Sequence, residues 1–406
     1  MSDTVAIIGG GPAGMMAAAM AAKRGKTAVI IEKNATLGKK LLITGKGRCN
    51  ITNNCDISEF ISNVPVNGNF LYSAFYTFTN RDLLSLLNNA GLETKVERGD
   101  RVFPVSDKAA DVLLTLKKIL KHYGVKLVSG EVSKIEADEN GKRVILKDKR
   151  ALKCSSVIIA TGGISYSQTG STGDGYKFAK KIGHSIITPK PSLVPLVLNS
   201  PYVKRLMGLS LKNISLKVTR DNKEIYNDFG EMLFTHYGAS GPVILSASSH
   251  MRDYDKYKYK IFIDLKPALD YETLDKRILR DFEKEKNKNF INSLDALLPK
   301  KMIPVIVDIT KIPPNKKVNE ISREERKKLV ETLKCLEFDV LGTGSLNTAI
   351  ITSGGVNVKE INPKTMESKL EKGIFFAGEV IDVDAYTGGF NLQIAFSTGY
   401  LAGMNA

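Results

Sequence analysis

Short runs of consecutive apolar residues alternate along the chain with segments rich in alanine or with amphipathic segments. Four such runs are TVAII (Thr4–Ile8), TAVIIEK (27–33), SSVIIATGG (155–163) and IFFAG (374–378). Each lacks a regular apolar–polar alternation, which is typical of parallel strands buried on both faces. The segment MMAAAMAAKRG (15–25) follows the first run and predicts a helix. This order of strand, helix and strand predicts an α/β fold with a parallel sheet.

The turn between the first strand and the first helix has the spacing Gly9-x-Gly11-x-x-Gly14. Gly9 permits a tight turn, Gly11 lets the backbone approach a pyrophosphate, and Gly14 lets the helix pack closely on the strand. The second strand ends at Glu32, whose carboxylate can accept hydrogen bonds from a ribose diol. The pattern predicts a dinucleotide site at the N-terminus of the first helix. The other predicted contacts here are Pro12, Ala13 and Lys33.

The C-terminal segment 373–403 predicts which dinucleotide is bound. An apolar strand ends in Glu379, and a Thr-Gly-Gly turn then leads into a helix that begins FNLQ. In two-part flavoproteins an acid in this place binds the ribityl hydroxyls of FAD, and the helix N-terminus stabilises the charge of the reduced ring. We therefore predict non-covalently bound FAD. The predicted contacts from this segment and from the strand that ends in Thr-Gly-Gly are Thr161, Gly162, Gly378, Glu379, Gly389, Phe390, Asn391 and Leu392.

The stretch GKKLLITGKGRCNITN (38–53) combines glycines, cations and a cysteine. It follows the second strand closely, so we expect it near the pyrophosphate and ribityl chain. Its cations can neutralise phosphate, and its glycines allow close backbone approach. Cys49 has no CxxxxC partner, so we interpret it as a packing residue beside the flavin, with a redox role left open. The predicted cofactor contacts in this stretch are Lys40, Gly47, Arg48, Cys49 and Asn50.

These motifs resemble a known family. GGGPAG, GKKLLITGKGRCNITN, RVFPVSDKA, ATGGISYSQTGSTGDGY, LFTHYGASGP, TSGGV and AGEVIDVDAYTGGFNLQIAFSTG occur in this order over nearly the whole chain. The sequence is similar to the bacterial flavoproteins that include aminoacetone oxidase and the 3-dehydro-bile-acid Δ4,6-reductase-like proteins. The resemblance implies an FAD-dependent oxidoreductase, and it leaves the substrate open.

The expected chemistry is hydride transfer between flavin N5 and a small organic substrate. His236, within LFTHYGASGP, and Tyr166, within GGISYSQTG, are the candidate catalytic residues. No second GxGxxG occurs, so NAD(P)H would dock transiently as electron donor. The alternatives are an amine oxidase of the aminoacetone oxidase type, which would pass electrons to oxygen, and an RNA-acting flavoprotein.

The pattern predicts a discontinuous Rossmann-like FAD-binding domain, 1–192 and 336–406. Val132, after a strand and turn, is expected to contact the adenine. Residues 193–268 are strand-rich and predict an inserted β-rich substrate domain. Residues 269–335 carry amphipathic, charged segments and predict a small helical cap domain.

Charge and cysteine content indicate which partners and which cellular compartment to expect. Lys and Arg number 59 and Asp and Glu 43, giving a net charge of +16. The lysines are spread among acids without a basic tract, so we do not expect a nucleic-acid partner, although the charge keeps the RNA alternative open. Four scattered cysteines, without CxxC, favour a reducing compartment and no metal site. The N-terminus has no basic leader, so we expect a cytoplasmic protein without a membrane span, its oligomeric state unknown.

Overall fold

The computed structural model describes residues 3–138 and 141–406. The chain divides into two compact units. The first unit comprises Met1–Ser192 with Ser345–Ala406, and the second comprises Leu193–Gly344.

The strands in the described residues are β1 (Thr4–Ile8), β2 (Thr27–Glu32), β3 (Thr52–Asn53), β4 (Thr94–Glu97), β5 (Arg101–Pro104), β6 (Lys126–Ser129), β7 (Val132–Asp138), β8 (Gly141–Leu146), β9 (Ala151–Cys154), β10 (Ser156–Ile159), β11 (Ile186–Ser192), β12 (Leu196–Asn199), β13 (Ser210–Arg220), β14 (Lys223–Phe234), β15 (Gly238–Ser240), β16 (Tyr259–Asp264), β17 (Leu336–Thr343), β18 (Ile351–Val356) and β19 (Ile374–Phe376).

The α-helices in the same residues are α1 (Pro12–Lys23), α2 (Lys39–Ile43), α3 (Ile57–Ser62), α4 (Tyr72–Thr77), α5 (Asn80–Asn89), α6 (Ala109–His122), α7 (Asp174–Lys181), α8 (Val203–Leu206), α9 (Pro242–Ser248), α10 (Tyr271–Lys284), α11 (Ile303–Thr310), α12 (Arg323–Lys334) and α13 (Phe390–Asn405). Short 3₁₀ turns lie at Thr44–Gly47, Gly68–Leu71, Ser167–Thr169, Phe290–Asn292, Val318–Glu320, Val358–Glu360 and Gly378–Val380.

A five-stranded parallel sheet forms the centre of the first unit, in the order β19-β10-β1-β2-β6. Ile7 pairs with Ile30 on one side and with Ile158 on the other, and all three side chains are fully buried. Strands covered on both faces need apolar residues at every position, which explains the uninterrupted apolar runs. The α/β class and the Rossmann-type sheet predicted from the sequence are confirmed.

Helices α1 and α13 pack together unusually closely. A Cβ at Gly399 would overlap the carbonyl of Ala13, and a Cβ at Gly403 would overlap that of Ala17. The alanine-rich face of α1 and these two glycines therefore bring the two backbones into contact. This crossing joins the first helix of the chain to the last one. Smaller antiparallel sheets, β3-β5-β4, β7-β8-β9 and β11-β18, complete the first unit.

The second unit is built on a closed antiparallel barrel in the order β12-β15-β14-β13-β16-β17. Its strands show period-two patterns, with Leu336, Phe338 and Val340 of β17 buried and the residues between them exposed. Helices α9 to α12 share the apolar core of the barrel, for example through Leu274 and Leu329.

Two expected boundaries differ from the structure. The sequence placed the return to the cofactor domain at residue 336, but β17 pairs with β12 and β16 in the barrel, and the second unit ends at Gly344. The sequence also separated a helical domain (269–335) from a β-rich one (193–268). Their buried side chains form one core, because α10 and α12 cover the barrel with their apolar faces.

Candidate functional site

The first βα turn has the geometry of a phosphate cradle. Gly9 has φ of +105°, and a Cβ at Gly14 would overlap the Gly9 carbonyl oxygen. A Cβ on Gly11 would meet no heavy atom of the described residues within 4 Å, so the turn is open on that side. Pro12 is the first residue of α1, where its missing N–H costs no hydrogen bond. The N–H groups of this helix end have no intrahelical acceptors and can bind an anion.

Glu32 is held at the end of β2 beside this turn. Its Oε2 accepts from Gly10 N at 2.7 Å, and its Oε1 accepts from the backbone and side-chain nitrogens of Asn34, both at 2.8 Å. These three bonds fix the carboxylate next to the glycine turn, where a ribose attached to a bound pyrophosphate would lie.

The residues after Glu32 hold the loop between β10 and α7. Lys33 Nζ lies 2.7 Å from Asp174 Oδ2 and 2.5 Å from Thr172 Oγ1. Asn34 Nδ2 also donates to Thr169 O at 3.1 Å. The Lys33 side chain, predicted as a cofactor contact, is thus bonded to this loop.

A second acid, Glu379, joins four segments of the first unit. Lys40 Nζ donates to Glu379 Oε2 at 2.6 Å and to Ser165 Oγ at 2.7 Å. Glu379 Oε1 accepts from Ser165 Oγ at 3.0 Å and from Thr352 N at 2.9 Å. Thr352 Oγ1 in turn accepts from Ile164 N and Ser165 N. Lys40 therefore neutralises Glu379, whereas the sequence suggested a phosphate partner.

Arg48 is also paired with protein carboxylates. Its guanidinium bonds to Glu97 and Asp107 and lies 4.1 Å from the centre of the Phe103 ring. Lys95 completes the cluster at 2.7 Å from Asp107. The Glu97 bond holds the pKa of Arg48 well above its ordinary range. The Arg48 side chain therefore holds the loop 45–53 in place. Its pairing with two carboxylates does not support a contact between Arg48 and phosphate.

Cys49 is fully buried in the same loop, with φ of +61°. Burial raises the pKa of its thiol to about 12, so the thiol is neutral at physiological pH. All four cysteines are free in the described structure. A neutral thiol without a disulfide partner in the described residues fits the interpretation of Cys49 as a packing residue. Gly47, next to Arg48, is exposed with φ of +85°.

The stretch after Cys49 docks on the N-terminus of α13. Thr52 Oγ1 lies 2.7 Å from Gln393 Oε1, and Asn53 Nδ2 donates to Gly388 O at 3.2 Å. A Cβ at Gly389, where φ is +102°, would overlap the Thr52 backbone. The glycine pair lets the loop approach the helix end.

The side chains of the predicted contacts at this helix end pack or hydrogen-bond within the protein. Phe390 is buried against Phe60, with ring centroids 5.1 Å apart. Asn391 Oδ1 accepts from Ala385 N, and its Nδ2 donates to Ala385 O and Tyr386 O. The backbone N–H groups of Phe390, Asn391 and the half-buried Leu392 lack intrahelical acceptors and can face a ligand.

Two predicted contacts have buried oxygens that fit a ligand. Asn50 Oδ1 and Thr161 Oγ1 are inaccessible to solvent and have no hydrogen-bond partner among residues 3–138 and 141–406. Buried polar atoms are ordinarily satisfied. A flavin dinucleotide carries ribityl hydroxyls and a ring N–H that can donate to such acceptors. Together with Glu32, Glu379 and the N-termini of α1 and α13, these oxygens form a set of hydrogen-bond donors and acceptors that fits FAD.

The remaining predicted residues lie as follows. Gly162 (φ +73°) follows Thr161, and Val132 is buried at the start of β7. Gly378 (φ +75°) packs near Ala13, and its N–H donates to Thr398 Oγ1 at 2.9 Å. Tyr166 is half-buried in the β10–α7 loop with φ of +52°.

His236 lies in the second unit, in the loop between β14 and β15. It is exposed, and its ring contacts that of Tyr237 at a centroid distance of 4.2 Å. The other predicted site residues belong to the first unit. The catalytic roles of His236 and Tyr166 stay predictions.

Within the described ranges, no group of three or more His, Cys, Asp or Glu side chains could hold a metal ion. No helix of those ranges combines the length and apolar character needed to cross a membrane.

Comparison with known proteins identifies the family. A profile described as the HI0933-like protein Rossmann domain matches residues 3–405. The chain belongs to the HI0933-like family. This family comprises FAD-dependent oxidoreductases, and the present member is an oxidoreductase enzyme.

Three relatives match over their full length. A ribosomal RNA dihydrouridine synthase of Haemophilus influenzae is 34% identical over 407 residues, covering 98% of this chain and 97% of that protein. A protein of the same name from Escherichia coli is 30% identical, covering 97% and 95%. A 3-dehydro-bile acid delta(4,6)-reductase of Clostridium scindens is 32% identical, covering 100% and 99%.

One solved structure supports the fold. The 3-ketosteroid-delta4-(5alpha)-dehydrogenase of Rhodococcus jostii, in complex with 4-androstene-3,17-dione, is similar with a TM-score of 0.53 at 12% identity. The similarity covers 99% of this HI0933-like chain and 96% of that protein.

Sequence reasoning missed three residues that organise the site. Asn34 bonds to Glu32, Ser165 bonds to Glu379, and Thr352 bonds to both Glu379 and the β10–α7 loop. Ser165 and Thr352 lie inside the motifs ISYSQTG and TSGGV, which was the available signal. Asn34 lies two residues after the ribose acid, a position from which a short amide reaches back to it.

Proposed function

We propose that this protein is a reductase that saturates a carbon–carbon double bond conjugated to a carbonyl group, and that its substrate is a uridine of ribosomal RNA. The observation that carries the proposal is full-length similarity to two proteins named ribosomal RNA dihydrouridine synthase. A third relative is named for reduction at positions 4 and 6 of a 3-dehydro-bile acid. In all three names the reaction is the addition of two hydrogens across such a bond.

The two substrates share their reactive group. The C5=C6 bond of uracil is conjugated with the C4 carbonyl, as a ring enone is with its oxo group. Reduction adds a hydride to the carbon remote from the carbonyl and a proton to the carbon next to it. Bound FAD would supply this chemistry by taking a hydride from NAD(P)H and delivering it from N5.

The chain's own residues would hold and orient the cofactor. We assign the pyrophosphate to the N-terminus of α1, the adenosine ribose to Glu32 and the ribityl chain to Glu379. The N-terminus of α13 would face the ring edge that becomes negative on reduction. Lys40 would keep the Glu379 carboxylate oriented through the 2.6 Å ion pair. Tyr166 and His236 are the candidate groups for the proton.

The charge of the protein favours RNA over a free small molecule. A net charge of +16 attracts a polyanion and speeds its encounter with the protein. This departs from the expectation that nucleic acid is not a partner, because two of the three full-length relatives are named for RNA. A free ring enone is the second candidate, favoured by the 32% identity to the bile-acid reductase.

The test is an anaerobic two-step assay with the purified holoprotein. NADH and NADPH are each added, and bleaching of the flavin absorbance is followed. The reduced protein is then mixed with ribosomal RNA transcribed in vitro, with a 3-oxo-Δ4 steroid, or with buffer. We expect RNA to restore the absorbance and to gain two hydrogens at a uridine, measured by mass spectrometry of its nucleosides.

Two other results would reject the RNA proposal. Reoxidation by the steroid but not by RNA would assign the protein to free enones. Bleaching by aminoacetone but by neither nicotinamide, followed by rapid reaction with oxygen, would make it an amine oxidase. RNA binding should be checked at about 150 mM salt, because weaker salt inflates non-specific phosphate contacts.

A further inference from the structure

Two tyrosines on α4 form an exposed aromatic surface. The rings of Tyr72 and Tyr76 are stacked, with centroids 4.4 Å apart and planes 22° apart. Their relative exposures are 55% and 46%, although large apolar rings are usually covered. A hydrogen bond between the two hydroxyls raises the pKa of Tyr76. The pair therefore presents flat aromatic ring faces to solvent.

Helix α4 does not need these rings for its own packing. Its buried side chains are Ala74, opposite the tyrosine pair, and Phe75, on the adjoining face. An i,i+4 aromatic pair adds little to the stability of a helix, and this helix has six residues. Stabilisation of helix α4 is therefore a weak explanation for the exposure of two aromatic rings.

The aromatic pair is connected to the N-terminus of α13 through ring contacts. Phe75 packs edge-on against Phe60 at 5.4 Å, and Phe60 packs against Phe390, the first residue of α13, at 5.1 Å. One layer of buried phenylalanines thus joins the tyrosine-bearing helix to the helix end that we assign to the flavin ring.

The segment before α4 also pairs with the loop that precedes α13. Val66 forms a β-bridge with Asp384, and Asn67 Nδ2 donates to Asp382 O at 2.7 Å. Tyr386 N donates to Asn63 O at 3.0 Å. The position of the tyrosine pair is therefore fixed relative to the 382–386 loop.

We propose that Tyr72 and Tyr76 form a stacking platform for an unpaired base of the RNA substrate, next to the uridine that is reduced. The proposal rests on the proposed RNA function and adds where the RNA is held. Aromatic side chains stack on any base, since every base has a flat π-face. The helix sequence YSAFYT carries no charge, so the platform would bind the base and leave the phosphates to cations elsewhere.

The test compares RNA affinity and its salt dependence in matched variants of the holoprotein. The double variant Tyr72→Ala/Tyr76→Ala removes both rings, and Tyr72→Phe/Tyr76→Phe keeps them. Tyr271→Ala is the control, because Tyr271 is equally exposed at 54% but lies in the second unit. Binding of a fluorescent in vitro transcribed ribosomal RNA fragment is measured by anisotropy at several salt concentrations.

We expect the double alanine variant to bind about 5- to 150-fold more weakly, the range for loss of one stacked base. The slope of affinity against salt should not change, because no phosphate contact is lost. The phenylalanine variant and Tyr271→Ala should bind like the parent protein. FAD content and flavin bleaching by NAD(P)H should be unchanged in all three.

Affinity equal to the parent in the double alanine variant would overturn the platform. An equal loss in the phenylalanine variant would do the same. A change of oligomeric state in the double alanine variant, measured by analytical ultracentrifugation, would assign the rings to a contact between copies. If the double alanine variant does not fold, RNA that contains 4-thiouridine is photocrosslinked to the parent protein instead. The platform requires that the peptide 72–77 is among the crosslinked products, and its absence would overturn the proposal.

The outcomes separate this inference from the proposed function. A parent protein that neither binds RNA nor forms dihydrouridine rejects the RNA function itself. A parent that forms dihydrouridine, with a double alanine variant that binds and reduces RNA equally well, rejects the platform alone.

Discussion

Lys40 and Glu379 show how a side chain's partner determines its role. The sequence suggested that Lys40 meets phosphate, yet its ammonium lies between Glu379 and Ser165. Each side chain of the pair is about one-fifth exposed, at 21% and 20%. An ion pair this well shielded is costly to break, since the remaining charge is left without its partner.

Glu379→Ala should weaken FAD binding roughly ten- to a hundredfold, because it removes an ionised hydrogen-bond acceptor worth about 1.5–3 kcal/mol. It should also lower the Tm, since Lys40 loses its partner. The double variant Lys40→Met/Glu379→Ala should recover part of the Tm but not the FAD affinity. Thermal unfolding of the FAD-free proteins and FAD titrations measure the two effects. Full recovery of FAD binding in the double variant would exclude Glu379 as a cofactor ligand.

Cys49→Ser should keep FAD and turnover, because the thiol is neutral and buried.

In the native protein, iodoacetamide at about pH 8 should label the exposed Cys335 and spare Cys49 until the chain is unfolded. The raised pKa makes the neutral thiol a source of stability that is lost as pH rises from 9.0 through about 12. Peptide mass spectrometry gives the labelling pattern. Rapid native labelling of Cys49, or loss of turnover with FAD still bound, would restore a redox role.

At the scale of elements, the docking of β3 on α13 tests the placement of the flavin ring. Gly389→Ala puts a Cβ into the Thr52 backbone at φ of +102°. Gly183→Ala is the matched control, because φ is +100° there but no described heavy atom lies within 4 Å of the added Cβ. The control should lose about 1–2 kcal/mol of stability from backbone strain alone. Gly389→Ala should lose more and should also lose FAD, as measured by flavin absorbance after purification. Equal losses in both variants would show that strain alone accounts for the effect.

The elements that could be predicted are those whose signal is local. Apolar runs predicted the parallel strands, and the glycine spacing predicted the first turn, because burial and backbone angle act on neighbouring residues. The partners of Arg48 could not be predicted, since Glu97 and Asp107 lie 49 and 59 residues away. Strand β17 alternates apolar and polar residues as a barrel strand does, but its partners β12 and β16 are distant in sequence.

At the scale of the whole molecule, the second unit should fold by itself. It is one continuous segment with its own core, and its ends meet, since Gly344 N donates to Pro195 O at 2.9 Å. The fragment 193–344 should therefore unfold cooperatively in urea and bind no FAD. Circular dichroism and FAD titration check this. A gradual transition, or dye binding typical of a molten globule, would show that the barrel depends on the first unit.

The close crossing of α1 and α13 has a consequence for synthesis. The glycines that fit against Ala13 and Ala17 belong to the last helix, so the nascent chain leaves the ribosome with α1 lacking its partner. Roughly 370 residues, among them the whole barrel unit, are translated between the end of α1 and the start of α13, which takes roughly 20 to 70 seconds at about 5–20 residues per second. During that time the alanine and methionine face of α1 is uncovered. We therefore expect the cofactor domain to be the part that exposes apolar surface during synthesis, while the barrel can form first.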